Sequence, residues 1–204
     1  MTRLSSTLVL ASVMLAAVAA AGAACASSAD VDQIDYVAIQ QTGTNNQATI
    51  AGGGHVTLHQ SGDGNQASVK QAAPAQETAL LNQLGRNNAV TLTQSGDDNA
   101  VELAQFGADN HATLHQQGAS SAANFASLAQ VGADNSASLT QSGDHNFAFQ
   151  MQDGVGDVQS IVQTGSHNSA AYTQLGDDLP DLGIVQTGGM SVTVVQTGSP
   201  FGHK

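Results

Sequence analysis

Across 204 residues the chain carries four Lys and Arg against 16 Asp and Glu, a formal charge of −12, with only 10% charged residues, 3% aromatic residues and no Trp. That balance excludes nucleic-acid binding through phosphate contacts. The shortage of large apolar side chains excludes a conventional globular core, so the chain must also be ordered by polar side chains and backbone.

Residues 1–26 read as a secretory leader: Arg3 supplies the positive start, Leu8 to Ala21 the apolar stretch, and small residues follow. Two cleavage positions compete, after Ala23 and after Ala26, the second being favoured. The apolar run falls short of the roughly 20 residues that span a bilayer, and no later run is longer, so an exported chain without a membrane span is expected. Cys25 is the only cysteine, which rules out an intramolecular disulfide. It lies inside the leader and is expected to leave with it. Gly22-Ala23-Ala24 lacks the upstream aliphatic residue that would resemble a lipoprotein signal.

Residues 27–34 form a short acidic segment without repeat, expected to be a flexible lead-in. One repeat domain is then predicted over 35–198, followed by a tail over 199–204. Its marks are glutamines: Gln41, Gln60, Gln71, Gln83, Gln94, Gln105, Gln116, Gln130, Gln141, Gln152, Gln163, Gln174, Gln186 and Gln196. The commonest step is eleven residues. Two residues after a mark comes glycine, at Gly43, Gly62, Gly85, Gly96, Gly107, Gly118, Gly132, Gly143, Gly154, Gly165 and Gly176. Asparagine then recurs at Asn46, Asn65, Asn88, Asn99, Asn110, Asn124, Asn135, Asn146 and Asn168. Fixed-period self-similarity implies one small supersecondary unit stacked many times.

In chain order, the first repeat strand is Val37 to Gln41. A shortened corner follows at Gly52-Gly53-Gly54, with Gly52 at a glutamine position. An extra residue lies near Pro74, and three extra residues lie in 119–123. The regular array runs from Gln83 to Gln174, broken by Asp157 at an asparagine position and Gln159 at an alanine position. Beyond Gln174 the pattern decays, with Pro180 assigned to the asparagine position. One strand per mark predicts about fifteen strands.

Within a unit, Asn99, Val101, Leu103 and Gln105 are spaced by two, as are Asn110, Ala112, Leu114 and Gln116. Residues at that spacing share one face of a strand. The repeated face is the interior, because a shared packed environment is what demands the same residue at each recurrence. A helical eleven-residue repeat fails on glycine in every unit. Two β arrangements remain, a flat antiparallel meander and a flattened two-sheet solenoid of about seven strand–turn–strand rungs. The second is expected. Parallel in-register stacking puts each inward glutamine about 4.8 Å from its equivalent, so that buried amides bond into ladders; a meander puts asparagine opposite glutamine. The glycines and aspartates between strands are expected to make the turns.

A 22-residue double unit of the form Q-x-G-x-x-N-x-A closed by a second glutamine resembles the repeat of the curlins, subunits of bacterial curli fibres. Gln94/Gly96/Asn99/Gln105, Gln130/Gly132/Asn135/Gln141, Gln141/Gly143/Asn146/Gln152 and Gln163/Gly165/Asn168/Gln174 carry the likeness. The resemblance implies a secreted protein that crosses the outer membrane unfolded through a secretion pore. There it polymerises with itself, aided by a nucleator subunit, into an extracellular amyloid on the bacterial outer surface for adhesion and biofilm matrix. A major subunit is favoured over a nucleator. Independently, a stack of parallel rungs ends in open strand edges that template another copy, and head-to-tail stacking gives a filament.

No enzyme activity, cofactor or metal is expected. The histidines offer pairs and no convergent catalytic set: His145 and His167 stack one rung apart, whereas His55/His59 and His111/His115 fall on opposite sheets. The turn aspartates are expected to slow premature aggregation by repulsion. Phe147 and Phe149 form the one expected outward aromatic patch. Tyr172 points inward and needs a polar partner or distorts its rung. The alternative function is a monomeric secreted solenoid that binds a glycan or ice surface. It is disfavoured because the outward positions look too varied for regular threonine ranks.

Overall fold

The computed structural model describes residues 14–16, 27–32, 36–72, 76–118 and 123–198. The remainder of the expected leader, Pro74, most of the 119–123 insertion and the tail over 199–204 lie outside the described residues. The described chain is all β, built of two parallel sheets. The first holds β1 (Met14–Ala16), β3 (Tyr36–Thr44), β5 (His55–Asp63), β7 (Thr78–Arg86), β9 (Ala100–Ala108), β11 (Phe125–Ala133), β13 (Phe147–Val155), β15 (Ser169–Leu175) and β17 (Ser191–Thr197), in that spatial order. The second holds β2 (Ser28–Asp32), β4 (Gln47–Gly52), β6 (Gln66–Gln71), β8 (Ala89–Ser95), β10 (His111–Gln117), β12 (Ser136–Ser142), β14 (Val158–Thr164) and β16 (Ile184–Thr187). Each strand in one sheet is followed by one in the other, which makes the flattened solenoid the periodicity predicts.

Pairing is in register along the stack. Gln105 pairs with Gln83 and Gln130, and Gln116 with Gln94 and Gln141. Alternate residues close the space between sheets: Val101, Leu103, Ala112, Leu114, Ala126 and Leu128 are buried with their equivalents. This core is about two apolar residues deep per strand, and asparagine and glutamine seal its two edges, all buried from Gln41 to Gln186. Such a rung cannot bury itself. Each contributes stability only through its neighbours, so the array behaves as a one-dimensional stack.

Several expectations change. Residues 27–34 are not wholly a lead-in, since Ser28–Asp32 pairs with β4 and extends the second sheet. A strand can form there because Ala29 and Val31 continue the alternation in line with Ala48 and Ile50. The glycines assigned to turns divide. Gly43, Gly62, Gly85, Gly107, Gly132 and Gly154 lie inside paired strands of the first sheet, whereas Gly96, Gly118, Gly143, Gly165 and Gly176 lie between strands. The physical reason is that a glycine with positive φ redirects the chain while still bonding to the rung beside it; Gly107, at φ 123°, remains paired with Gly85 and Gly132. Pro180 does not occupy the asparagine position. Leu179 does, donating its N–H to Asp157 Oδ1 at 2.9 Å and accepting from Val158.

The turns use a second special position. The residue just before the asparagine position takes a left-handed conformation at Asn45, Asn87, Asp98, Asp109, Asp134, His145, His167 and Asp178, the last preceding Leu179, with φ between 53° and 61°. Asn, Asp and His are the non-glycine residues most tolerant of that region, and Gly64 and Gly156 fill it elsewhere. The His145/His167 pair thus has a backbone explanation. Their rings stack at 4.9 Å and 14° because equivalent corners lie one rung apart.

Candidate functional site

The candidate site is the set of side-chain ladders running the length of the stack, with the edges at which they stop. In the first sheet Gln41, Gln60, Gln83, Gln105, Gln130, Gln152, Gln174 and Gln196 form one row. Each Nε2 donates to the next Oε1 at 2.8 to 3.2 Å. In the second sheet Gln71, Gln94, Gln116, Gln141, Gln163 and Gln186 form another, at 2.7 to 3.0 Å. Many Nε2 groups use their second proton on a carbonyl of the opposite sheet, as Gln141 does on Phe125 O at 3.0 Å. The ladders therefore tie rung to rung and sheet to sheet.

The asparagines run the other way. Asn65, Asn88 and Asn110 each donate Nδ2 back to the Oδ1 one rung earlier, at 3.0 to 3.1 Å. Asn124, Asn146 and Asn168 do the same from Asn99 onward, at 2.9 to 3.0 Å. Asn135 continues the first row through its backbone N–H on Asn110 Oδ1, at 3.2 Å. The remaining Nδ2 proton goes to a glycine carbonyl one rung ahead, as from Asn88 to Gly107 O at 3.1 Å. Both ladders thus have direction. Rungs that keep the consensus present the same donors and acceptors at a given end, which is the condition for adding identical units.

Four departures from consensus leave marks in these rows. Gly52 stands opposite Gln71, so no amide donates to Gln71 Oε1, which is buried without a partner. Gln159, opposite Ala137, and Gln150, opposite Leu128, each donate to a carbonyl but leave Oε1 unsatisfied. Asp157 receives the N–H of Leu179 on Oδ1, while its Oδ2 has no partner. Burial raises its pKa, opposed by the Leu179 bond and reinforced by Asp177, Asp178 and Asp153. Tyr172 accommodates itself: its hydroxyl donates to Gln196 Oε1 at 3.0 Å and accepts the Leu182 N–H at 2.8 Å.

Glu77 was not evident from spacing after Gln71, because the irregular corner before it shifts the count. Counting one rung back from Asn99 finds it. Its carbonyl accepts from His55 as that of Asn99 does from Thr78, so a carboxyl stands in the second asparagine row. It is fully buried, and neither oxygen has a well-formed hydrogen bond. Burial pushes its pKa up to about 7, opposed by weak contacts from Asn99 and the Ala72 amide, with Asp97 adding to the rise.

The outer faces differ from expectation. The aromatic patch extends beyond Phe147 and Phe149, since Phe125, one regular 22-residue rung earlier, stacks on Phe147 at 5.4 Å. The second sheet carries an unbroken hydroxyl row, Thr49, Ser68, Thr91, Thr113, Ser138 and Ser160. It emerges only when serine and threonine are counted together in the observed register. Among the described residues no cluster of three or more His, Cys, Asp or Glu side chains gathers to hold a metal, and no helix is long and apolar enough to cross a membrane.

Gln141→Ala is expected to weaken the stack by about 2–6 kcal/mol, because Gln116 Nε2 and Gln163 Oε1 each lose a buried partner at about 1–3 kcal/mol apiece. Ser142→Ala, on the partly exposed side of the same strand, is expected to change stability by under about 0.5 kcal/mol. Guanidinium titration of both variants separates them. Equal midpoints would remove the energetic role of the ladder.

The family model of the curlin associated repeat matches this chain three times, over residues 85–118, 107–143 and 122–154. No curated protein and no solved structure matches it.

Proposed function

We propose that this chain, which the curlin associated repeat matches over residues 85–154, is a secreted structural subunit that polymerises head to tail into extracellular amyloid fibres for adhesion and biofilm matrix. The observation that carries this reading is the directed ladder. Gln41 Oε1 is buried and unpartnered at one end of its row, while at the other end Gln196 has its Oε1 occupied by Gln174 and Tyr172. The amide of Gln196 is the donor that Gln41 of a following copy lacks, so the two ends match in polarity as well as in strand direction.

Export supports the same reading. Loss of residues 1–26 takes away Met14–Ala16, which pairs with Tyr36–Ala38, and leaves β3 open on that edge. An unpaired parallel strand whose inward residues match those of the last strand is a template for another chain. The regular rungs from Gln83 to Gln174 favour a major subunit over a nucleator. Itself, a nucleator subunit and an outer-membrane secretion pore are the partners this role requires.

The test is incubation of the purified chain lacking residues 1–26 at micromolar concentration. A lag followed by thioflavin fluorescence and fibres is expected; a chain that stays monomeric for days overturns the proposal. That outcome would favour the second reading, a monomeric solenoid binding a glycan or ice surface, for which the hydroxyl row of the second sheet is the supporting observation.

A further inference from the structure

From β6 to β13 the two outer faces of the solenoid are chemically unlike, whereas beyond that stretch the second sheet also exposes Val158, Val162 and Val185. On the second sheet, β6 to β12 present Ser, Thr, Gln, His and Lys70 outward, with Ala89 the lone apolar side chain there. On the first sheet, the same stretch of the stack presents Leu80, Leu84, Phe106, Val131 and Phe147, each 36–46% exposed. Its outward charges between β7 and β15 are Arg86, Glu102 and Asp153. A difference of this kind between two faces built from one repeat is not demanded by the core, since outward residues do not enter it.

The first face also has relief. A groove of about 250 Å³ runs across β7, β9 and β11, lined by Leu80, Asn82, Glu102, Ala104, Ser127 and Ala129. Beside that groove stands a ridge, because register places Phe149 next to Ser127 and Met151 next to Ala129. Ridge and groove lie on one surface, so a two-fold rotation brings the ridge of one copy over the groove of another. This is the self-complementary arrangement of an isologous contact.

Resting on the fibre reading, we infer that the outer face of the first sheet is a lateral interface through which two filaments of this chain pair face to face. Eight strands at about 4.8 Å, each offering about seven residues at 3.3 Å, make a face of roughly 700–900 Å². That is the size of one side of a stable protein interface, about 800 Å². In a filament the face recurs with every copy, so modest contacts add along the pair. Glu102 and Asp153 outnumber Arg86 on this face, so it is net negative and salt strengthens pairing by screening that charge. The occupant is a second copy and not an unrelated partner, since the groove and the side chains that fill it are on the same surface.

The test reads filament number separately from filament formation. Electron microscopy of wild-type assemblies is expected to show paired filaments, more of them at high salt. Phe106→Gln with Phe149→Gln is expected to cut the paired fraction about tenfold or more while thioflavin kinetics stay near wild type. Val162→Gln, on the second sheet, is expected to leave pairing intact. Pairing that survives the first change, or is lost with the second, overturns the inference. A cross-link keeps it testable if the double variant misfolds. In the chain lacking residues 1–26, which has no cysteine, Ala129→Cys is expected to join chains through a short bis-maleimide, and Thr113→Cys is not. Equal cross-linking at both positions, or none at Ala129→Cys, overturns it. If no filaments form at all, the fibre reading has failed, and the cross-link on the soluble chain still decides whether this face pairs.

Discussion

Gly107→Ala is expected to split the stack, with loss of amide protection in β9 and β11 while the rungs on either side keep theirs. A methyl at Gly107 meets the carbonyl oxygen of Gly132, one rung away, at 1.8 Å. The obstacle is backbone, so no side-chain rearrangement removes it. The same carbonyl also accepts from Asn110 Nδ2 at 3.0 Å, so a shift of the rung opens the asparagine ladder as well. In addition φ is 123°, which an L-residue rarely adopts.

The cost is expected to be about 4 kcal/mol or more, in the range of strained and clashing backbone positions. Because each rung is held only by its neighbours, the damage stays local in space yet uncouples the two halves of the array. Gly189→Asn is the matched control. It also has positive φ, 66°, but nothing lies within 4 Å of its missing Cβ, and asparagine tolerates that region. Hydrogen exchange of assembled material compares the two: protection in β9 and β11 should fall for Gly107→Ala alone. If Gly107→Ala retains wild-type protection there, close inter-rung approach does not explain glycine in this repeat.

Much of this architecture is legible in the sequence, and the reason is redundancy. The period-two spacing of Asn99, Val101, Leu103 and Gln105 recurs, so each face assignment is made many times over. What escapes is whatever happens once. Glu77 follows an irregular corner and is off the count from Gln71, and Leu179 loses its place to the more conspicuous Pro180. The stacking of Phe125 on Phe147, by contrast, lies at the regular spacing of 22 residues and is legible once outward positions are compared rung by rung. The left-handed position at His145 and His167 was readable in principle, as Asn, Asp, Gly and His alternate there. It is a property of backbone dihedrals, however, and spacing alone reports residue identity. The contrast between the two outer faces likewise depends on register across strands, which assembles side chains 22 or more residues apart.

Raising the pH from about 5 to 8 is expected to loosen the rung that contains Glu77, and Glu77→Gln is expected to remove most of that loss. In the folded chain the carboxyl titrates near 7, up from 4.5, chiefly because burial disfavours its charge. A carboxyl held above its unfolded pKa stabilises the fold in its protonated form. That contribution is complete below about pH 4.5, declines as pH rises through the folded value near 7, and is absent above it. This is opposite in sign to the usual carboxylate, whose folded pKa is depressed. Asp157 acts in the same direction, since burial raises it too and three aspartates surround it. Chemically both side chains replace an asparagine in a ladder. A protonated carboxyl can donate where the amide N–H would, whereas the anion only accepts.

The corner aspartates complicate the comparison, because acid also reduces the repulsion of a chain with net charge −12. Asp98→Asn supplies the correction. It removes one charge at an exposed left-handed corner where asparagine is equally at home. The measurement is the soluble concentration left at equilibrium in a fixed, moderate urea concentration at pH 5 and pH 8. Wild type is expected to leave more soluble chain at the higher pH by on the order of tenfold, and Asp98→Asn to keep nearly all of that ratio. Glu77→Gln should bring the ratio down and lower the soluble concentration at pH 8 below wild type. If Glu77→Gln and Asp98→Asn move the ratio equally, the pH dependence belongs to overall charge and the buried carboxyl has no special part in it.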